Sequence, residues 1–240
     1  MKLLIDAGNT RVKWALWDGR QLQLQLQGAV AHADIATLAA PWAALPLSAV
    51  LAASVAHDAV RQAIEAAAPL PVQWQRAQAA AFGVRNHYRN VAEQGADRWL
   101  AVLGARQRYP AQDVVIASAG TALTVEALTA EGDYLGGLIL PGYRLMLASL
   151  AQNTANLDRA AGLACAFPQG TEDALASGTI DALCGAIQRL QQRLAAHTGR
   201  SPLLLLTGGD AALLQPHLPP DTRMVDNLVI YGLASVADGS

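Results

Sequence analysis

Eight residues near the start of the chain have the chemistry of a phosphate turn: Asp6-Ala7-Gly8-Asn9-Thr10-Arg11-Val12-Lys13, directly after the apolar run Leu3-Leu4-Ile5. A strand that breaks into a tight polar turn and opens a second strand presents successive backbone N–H groups to an anion. Gly8 lets the backbone come close to a ligand and tolerates a positive φ. Asn9 and Thr10 add side-chain donors, and Lys13 adds a point charge. Asp6 repels phosphate, so its task would be to hold Mg²⁺, or a water on Mg²⁺, that bridges phosphate oxygens. An ordinary β-turn uses the same residue types, and that reading stands beside the first.

A second copy follows about half a chain later. Val114-Val115-Ile116-Ala117 leads into Ser118-Ala119-Gly120-Thr121-Ala122-Leu123-Thr124-Val125. Both segments read apolar strand, small turn with Gly and Thr, apolar strand. Two such units predict an internally duplicated fold whose glycine turns grip one nucleotide from both sides of a cleft. Thr121 is expected to touch the phosphates by its hydroxyl or its N–H. Gly208 and Gly209 follow the buried run Leu203–Leu206 and suit either a close approach to adenosine or a plain strand-to-helix turn.

Asp97 lies in the first turn of an expected helix, where the dipole favours its anionic form. It suits a general base that accepts the proton of an attacking alcohol, or a helix cap. Arg98 beside it suits bidentate pairing with a substrate carboxylate, or a surface position.

In order along the chain, these segments resemble the type III pantothenate kinases of the acetate and sugar kinase, Hsp70 and actin superfamily. Asp6–Lys13 is similar to the family's first phosphate motif, and Gly95-Ala96-Asp97-Arg98 to its substrate motif. Gly136-Gly137-Leu138-Ile139-Leu140-Pro141-Gly142, Gly170-Thr171, Ser177-Gly178 and Thr207-Gly208-Gly209-Asp210 also fit. The resemblance implies a duplicated ribonuclease H-like fold of the actin and sugar-kinase type, mixed α/β sheets with helices in two similar domains around a nucleotide cleft. It implies ATP- and Mg²⁺-dependent phosphorylation of pantothenate, the first step toward coenzyme A, by a cytoplasmic homodimer. It also implies that Asp97 is the base and that Tyr88, Gly95, Ala96, Asp97 and Arg98 meet pantothenate. Thr171 would reach the substrate across the dimer interface, although the start of its helix also suits a cap. The family's K⁺ or NH₄⁺ site usually includes an Asp where this chain has Ser118, so that site is in question, and Glu126 is no obvious replacement. Some relatives have been named as accessory factors for virulence regulation, so a catalytically weak nucleotide-binding regulator of the same fold is the alternative function.

The elements that would position these residues follow from periodicity and from proline and glycine punctuation. Strands are expected near 2–7, 11–17, 20–28, 48–53 and 71–75, with helices over 33–40, 57–67 and 96–108. After Pro110 the order repeats: strands near 113–118, 121–129, 133–140 and 202–207, and helices over 142–151 and 171–197. A short helix from Gly209, a strand near Arg223 and a helix over 227–237 complete the chain. The expected domains are 1–110 and 111–240.

The chain has 240 residues, 52% hydrophobic and only 15% charged, with a net charge of −2. No basic block points to nucleic acid. No apolar run approaches the roughly 18 residues of a membrane span, and Asp6 comes too early for a signal peptide. The low charged fraction suits a surface covered by a second subunit. Cys165 and Cys184 form no metal or redox motif, the histidines no ligand set, and the five tryptophans suit core packing.

Overall fold

The computed structural model describes residues 1–20 and 22–239. Gln21, inside the expected 20–28 strand, and the side chains of 22–26 lie outside the described residues. The chain opens with β1 (Lys2–Ala7), β2 (Arg11–Trp17) and β3 (Leu22–Ala31). A 3₁₀ stretch, His32–Leu38, runs into the short helix α1 (Ala39–Ala43). Then come β4 (Ala49–Ser54), α2 (Asp58–Ala67), β5 (Val72–Trp74), β6 (Ala80–Ala81), β7 (Val84–Asn86) and α3 (Ala96–Arg108). The order continues with β8 (Val114–Ala119), β9 (Ala122–Leu128), β10 (Asp133–Pro141), α4 (Tyr143–Asn153) and α5 (Thr171–Thr198). It ends with β11 (Leu203–Thr207), α6 (Ala211–Leu214), β12 (Arg223–Met224) and α7 (Leu228–Asp238).

Contacts divide the chain into two units. Unit 1 holds Met1–Pro110, Gly132–Tyr134 and Asn227–Ser240; unit 2 holds Ala111–Glu131 and Leu135–Asp226. This differs from a division at 1–110 and 111–240, because α7 returns to pack on α3 and β1. Leu100–Gly104 of α3 and Leu228–Gly232 of α7 cross backbone to backbone: a Cβ on Gly104 would overlap the Leu228 carbonyl, and one on Gly232 the Leu100 carbonyl. Lys2 donates through Nζ to the Ala237 carbonyl, and Trp17 through Nε1 to Asp238 at 2.6 Å, so α7 is also tied to the first two strands.

The unit 1 sheet has the order β3-β2-β1-β4-β5. β1 is antiparallel to β2 and parallel to β4, and β5 is parallel to β4. β1 is central, and Leu3, Leu4 and Ile5 are all fully buried, which explains its continuous apolar run. α2 lays Val60, Ile64 and Ala67 on this core at i, i+4 and i+7. Trp42 is fully buried and meets the edge of Trp14, ring centroids 6.2 Å apart.

Unit 2 repeats the plan. Its strands run β12-β11-β8-β9-β10, with β8 antiparallel to β9 and parallel to β11, and β12 parallel to β11. Ile180, Leu183, Cys184, Ile187 and Leu194 of α5 pack on Val115, Ala117 and Val125. Gly199, at φ +72°, ends α5 in the left-handed conformation.

Two local expectations differ from the structure. The 33–40 helix is mostly 3₁₀, since its buried residues Ile35 and Leu38 are three apart, the repeat of that tighter helix. The hairpin β6–β7 carries no sequence signal: its strands are two and three residues long, and its turn is Phe82-Gly83, at φ +50° and +73°. Among the described residues no helix is long and apolar enough to cross a membrane.

Candidate active site

In unit 1 the first turn joins two strands whose register sets Asp6 directly opposite Lys13. Gly8 donates its N–H to the Arg11 carbonyl at 3.1 Å, and His32 Nε2 donates to the Gly8 carbonyl at 2.9 Å. Gly8 does not have a positive φ, so of the two reasons for a glycine only the close approach of a ligand remains. Asn9, Thr10 and Arg11 are exposed, with Arg11 Nη2 donating to the Ala29 carbonyl at 3.4 Å, whereas Ala7 and Val12 point into the core and can offer only backbone.

Asp6 is the electrostatic centre of this turn. Burial pushes its carboxyl from the ordinary 3.8 up to about 6, Lys13 pulls it back, and the negative charge of Asp97 raises it further. Two carboxylates therefore share one field, as they do where a divalent cation is to be held. Among the described residues no three His, Cys, Asp or Glu side chains gather into a metal cage. Mg²⁺ needs none: it is commonly held by one or two carboxylates together with substrate phosphates and water. The residues at Asp6 fit that mode.

Asp97 belongs to the first turn of α3, after Gly95, whose own position is the N-cap. Gly95 has no side chain to cap with, so the open first turn is served by Asp97 itself. Asp97 Oδ1 accepts the backbone N–H of Arg98 at 2.8 Å, which fixes the carboxylate over the helix start. A side chain at 95 would come within 2.6 Å of Asp97 Oδ1, so Gly95 keeps that space open. Arg98 is 5% exposed rather than a surface residue. Its Nη1 donates to the Tyr88 hydroxyl at 3.1 Å and its Nη2 to the Tyr134 hydroxyl at 3.4 Å. The guanidinium also lies over the Tyr88 ring, 5.5 Å from its centroid. Tyr88, Gly95, Ala96, Asp97 and Arg98 are brought together, with Asp97 acting electrostatically on Asp6.

Several supporting residues escaped the sequence reading. Asp133, which the sequence places only at the start of a strand, accepts from Arg85 Nε and Nη2 at 2.8 and 2.7 Å and from His87 Nε2 at 2.8 Å, while the His87 N–H donates to the Tyr134 carbonyl at 3.0 Å. This clasp holds the segment carrying Tyr88, and Arg85 and His87 keep the Asp133 carboxyl down near 2. No local pattern could announce it, because the partners lie 46 and 48 residues apart.

In unit 2 the second turn is closed by Gly120 donating to the Ala122 carbonyl at 3.1 Å, and Thr121 is exposed at its tip. Gly142 donates to the Thr121 carbonyl at 2.9 Å, and Asp210 to the Ala119 carbonyl at 3.1 Å. Gly208 has φ +103° and packs on the Ala119 backbone, which no larger residue could do. Three glycine segments remote in sequence therefore converge on one turn. Ser118 pairs in register with Thr124, and Glu126, two residues on, is fully buried on that same face of β9. Glu126 is thus closer to Ser118 than its sequence position suggested.

Thr171 is the first residue of α5, after the N-cap Gly170, and makes no cap itself. It lines an apolar groove of about 450 Å³ with Pro141, Met146, Leu150, Leu157 and Leu175. Nearby in sequence, Ile139, Leu145, Leu163 and Phe167 are exposed, Phe167 at 88%.

Comparison with known proteins is consistent with this geometry. A family model described as type III pantothenate kinase matches residues 2–193. A type III pantothenate kinase of Chromobacterium violaceum is 59% identical over 99% of this chain and 100% of its own. Among solved structures, a Campylobacter jejuni protein of the Baf family superposes with a TM-score of 0.64 at 20% identity, covering 99% of this chain and 98% of that one. The activator of the 2-hydroxyisocaproyl-CoA dehydratase from Clostridium difficile, solved with bound ADPNP, superposes with a TM-score of 0.56 at 12% identity, covering 99% and 94%. The two structural likenesses show the fold, a duplicated mixed α/β architecture, and the sequence matches show more: this chain belongs to the type III pantothenate kinase family.

Proposed function

We propose that this protein transfers the γ-phosphoryl group of ATP to the primary hydroxyl of pantothenate, the first step toward coenzyme A. The observation that carries the reading is the grouping of Asp97, Arg98 and Tyr88 beside the turn of Asp6, in a chain of this family. The Arg98 guanidinium, fixed between two tyrosine hydroxyls, takes the pantothenate carboxylate, and Tyr88 lies along the ligand. Asp97 accepts the hydroxyl proton as the alcohol oxygen bonds to the γ-phosphorus. The bond from that phosphorus to the β–γ bridging oxygen breaks, and its electron pair leaves with ADP. Asn9, Thr10, Lys13 and the backbone of 7–12 hold phosphate oxygens, and Thr121 in unit 2 does the same with its hydroxyl or N–H. Bound Mg²⁺ would neutralise phosphate charge, with Asp6 holding it directly or through water. A coupled assay with ATP, Mg²⁺ and pantothenate tests the proposal; absence of ADP formation that depends on pantothenate would refute it.

We further propose a homodimer in which Thr171 of a second copy completes the acceptor site. The apolar groove beside Thr171 and the exposed Leu163 and Phe167 support a covered surface there. A cytoplasmic location suits the two free cysteines, Cys165 and Cys184. At the monovalent-cation position, Ser118 supplies neither formal charge nor a second oxygen, so we propose only weak use of K⁺ or NH₄⁺.

A further inference from the structure

Unit 1 contains a second cavity, of about 500 Å³, that none of Asp6, Tyr88, Asp97 or Arg98 lines. Its wall comes from Ser54, Arg61, the segment Trp74–Ala79 and residues Val91–Ala96. One side chain there is in an unusual state. Gln94 is 6% exposed, and its Nε2 is a buried donor with no partner.

A chain of hydrogen bonds fixes which end of that amide is unpaired. The Tyr88 backbone N–H can only donate, and it does so to Asn86 Oδ1 at 3.1 Å. Asn86 therefore presents Nδ2 as its donor, at 3.0 Å to the Gln78 carbonyl and 2.7 Å to Gln94. Gln94 must receive that bond with Oε1, which leaves Nε2 facing no acceptor. A buried unmade donor is costly, and native proteins keep few of them.

The charges around the cavity indicate what would satisfy it. Arg76 is exposed and makes no hydrogen bond or ion pair among the described residues. Arg61 is held over the Trp74 ring at 4.6 Å, and Trp74 is itself fixed by donating to Glu65 at 2.7 Å. The one carboxylate in the lining, Glu93, is turned to Asn90, from which it accepts at 2.7 Å. Gly95 and Ala96 close the wall at the start of α3, where the Asp97 carboxylate already takes the Arg98 N–H. Two guanidinium groups and an unpaired amide donor favour an acceptor-only, negatively charged ligand. The volume falls in the range of small-molecule sites.

We propose that this cavity is a binding site for a small anion bearing a carboxylate or phosphate group, adjoining the acceptor site at Gly95 and Ala96 but lined by none of Asp6, Tyr88, Asp97 or Arg98. The ligand accepts from Gln94 Nε2 and pairs with Arg76 and Arg61. Because its wall continues into Gly95 and Ala96, occupancy bears on the start of α3, which carries Asp97.

The test uses binding, with no turnover, so its outcome is independent of kinase activity. Full-length protein labelled with ¹⁵N is titrated with inorganic phosphate and, separately, with malonate, at constant ionic strength. The Gln94 side-chain amide and the Trp74 indole N–H are followed by NMR. The expected result is saturable shifts of both signals, weakened at least tenfold in both Arg76→Gln and Gln94→Met. Saturation by phosphate alone identifies phosphate as the recognised group, and saturation by malonate alone identifies a carboxylate. Linear, unsaturated shifts for both anions, or equal affinity in wild type and Arg76→Gln, would overturn the proposal. Arg76→Gln alters an exposed side chain and keeps the test valid should Gln94→Met fold poorly.

Discussion

Replacing Asp6 with Asn should make the ligand-free protein more stable at neutral pH while removing its use of Mg²⁺. The Asp6 carboxyl titrates near 6 in the fold against 3.8 for an unperturbed aspartate. A raised carboxylate pKa means that the fold prefers the protonated form. The associated stability is fully present below the unfolded value and is lost as pH rises through the folded one. Above about pH 7 the loss is complete and amounts to about 3 kcal/mol, from 1.36 kcal/mol per unit. Asn carries no charge and escapes it. For a chain of this size that gain corresponds to a rise in Tm of roughly 6–12 °C. At pH 4.5 the same expression gives about 1 kcal/mol, so the advantage of Asn should shrink by about two-thirds. Calorimetry of both proteins at pH 7.5 and 4.5, with EDTA, measures this directly. Carboxyl ¹³C NMR should place the Asp6 midpoint near 6. Addition of Mg²⁺ and ATP should then stabilise the wild type more than Asp6→Asn. A variant no more stable than wild type at pH 7.5, together with an Asp6 midpoint near 4, would refute the reasoning.

Asp97→Asn should preserve the fold but lower kcat by about 10²–10⁴, the usual worth of a general base; near-normal turnover would exclude that role. The same substitution removes a charge that raises Asp6, so the Asp6 midpoint should fall, whereas Lys13→Met should raise it, both read by carboxyl ¹³C NMR. Leu150→Glu, placed in the groove beside Thr171, should convert a dimer to a species near 25.1 kDa in sedimentation and depress activity. A dimeric, fully active variant would move the interface elsewhere. Initial rates should depend little on K⁺ at constant ionic strength, and Ser118→Asp should increase that dependence. A several-fold activation of the natural protein, abolished in Glu126→Gln, would instead assign the charge to Glu126. The Arg200 guanidinium holds the Asp113 carboxyl down to about 2, so its contribution is present above pH 3.8 and lost as pH falls toward 2. Asp113→Asn should therefore lower Tm at pH 6, and the effect should shrink by about two-thirds at pH 2.5.

Much of this architecture can be read from local chemistry. Continuous apolar runs such as Leu3–Ile5 and Val114–Ala117 marked central strands because they are buried on both faces. Glycine and proline marked most boundaries, whereas an acid in a helix's first turn is commonplace, and Asp97 stood out only through its place in the Gly95-Ala96-Asp97-Arg98 segment. What the sequence does not display is long-range pairing. The Tyr88 hydroxyl meets Arg98 through a loop held by Asp133, and the Gln94 amide is oriented by a relay that begins at the Tyr88 backbone. Each partner is an ordinary polar residue in its own neighbourhood. The 3₁₀ stretch at His32–Leu38 was misread because Ile35 and Leu38 satisfy a helical spacing without deciding which helix.

The return of α7 to the first unit also sets an order of events during synthesis. Unit 1 is written in three instalments, and the last, Asn227–Ser240, follows the first only after the 116 residues of 111–226. At about 5–20 residues per second, roughly 6–23 s pass on the ribosome between Pro110 and Asn227. Throughout that interval the face of α3 around Leu100 and Gly104 lacks the helix that covers it. Unit 2 can close first, although it begins second. Nascent unit 1 therefore waits with an open seam, and that seam, rather than the phosphate turn, is where a chaperone or a wrong helix would find it.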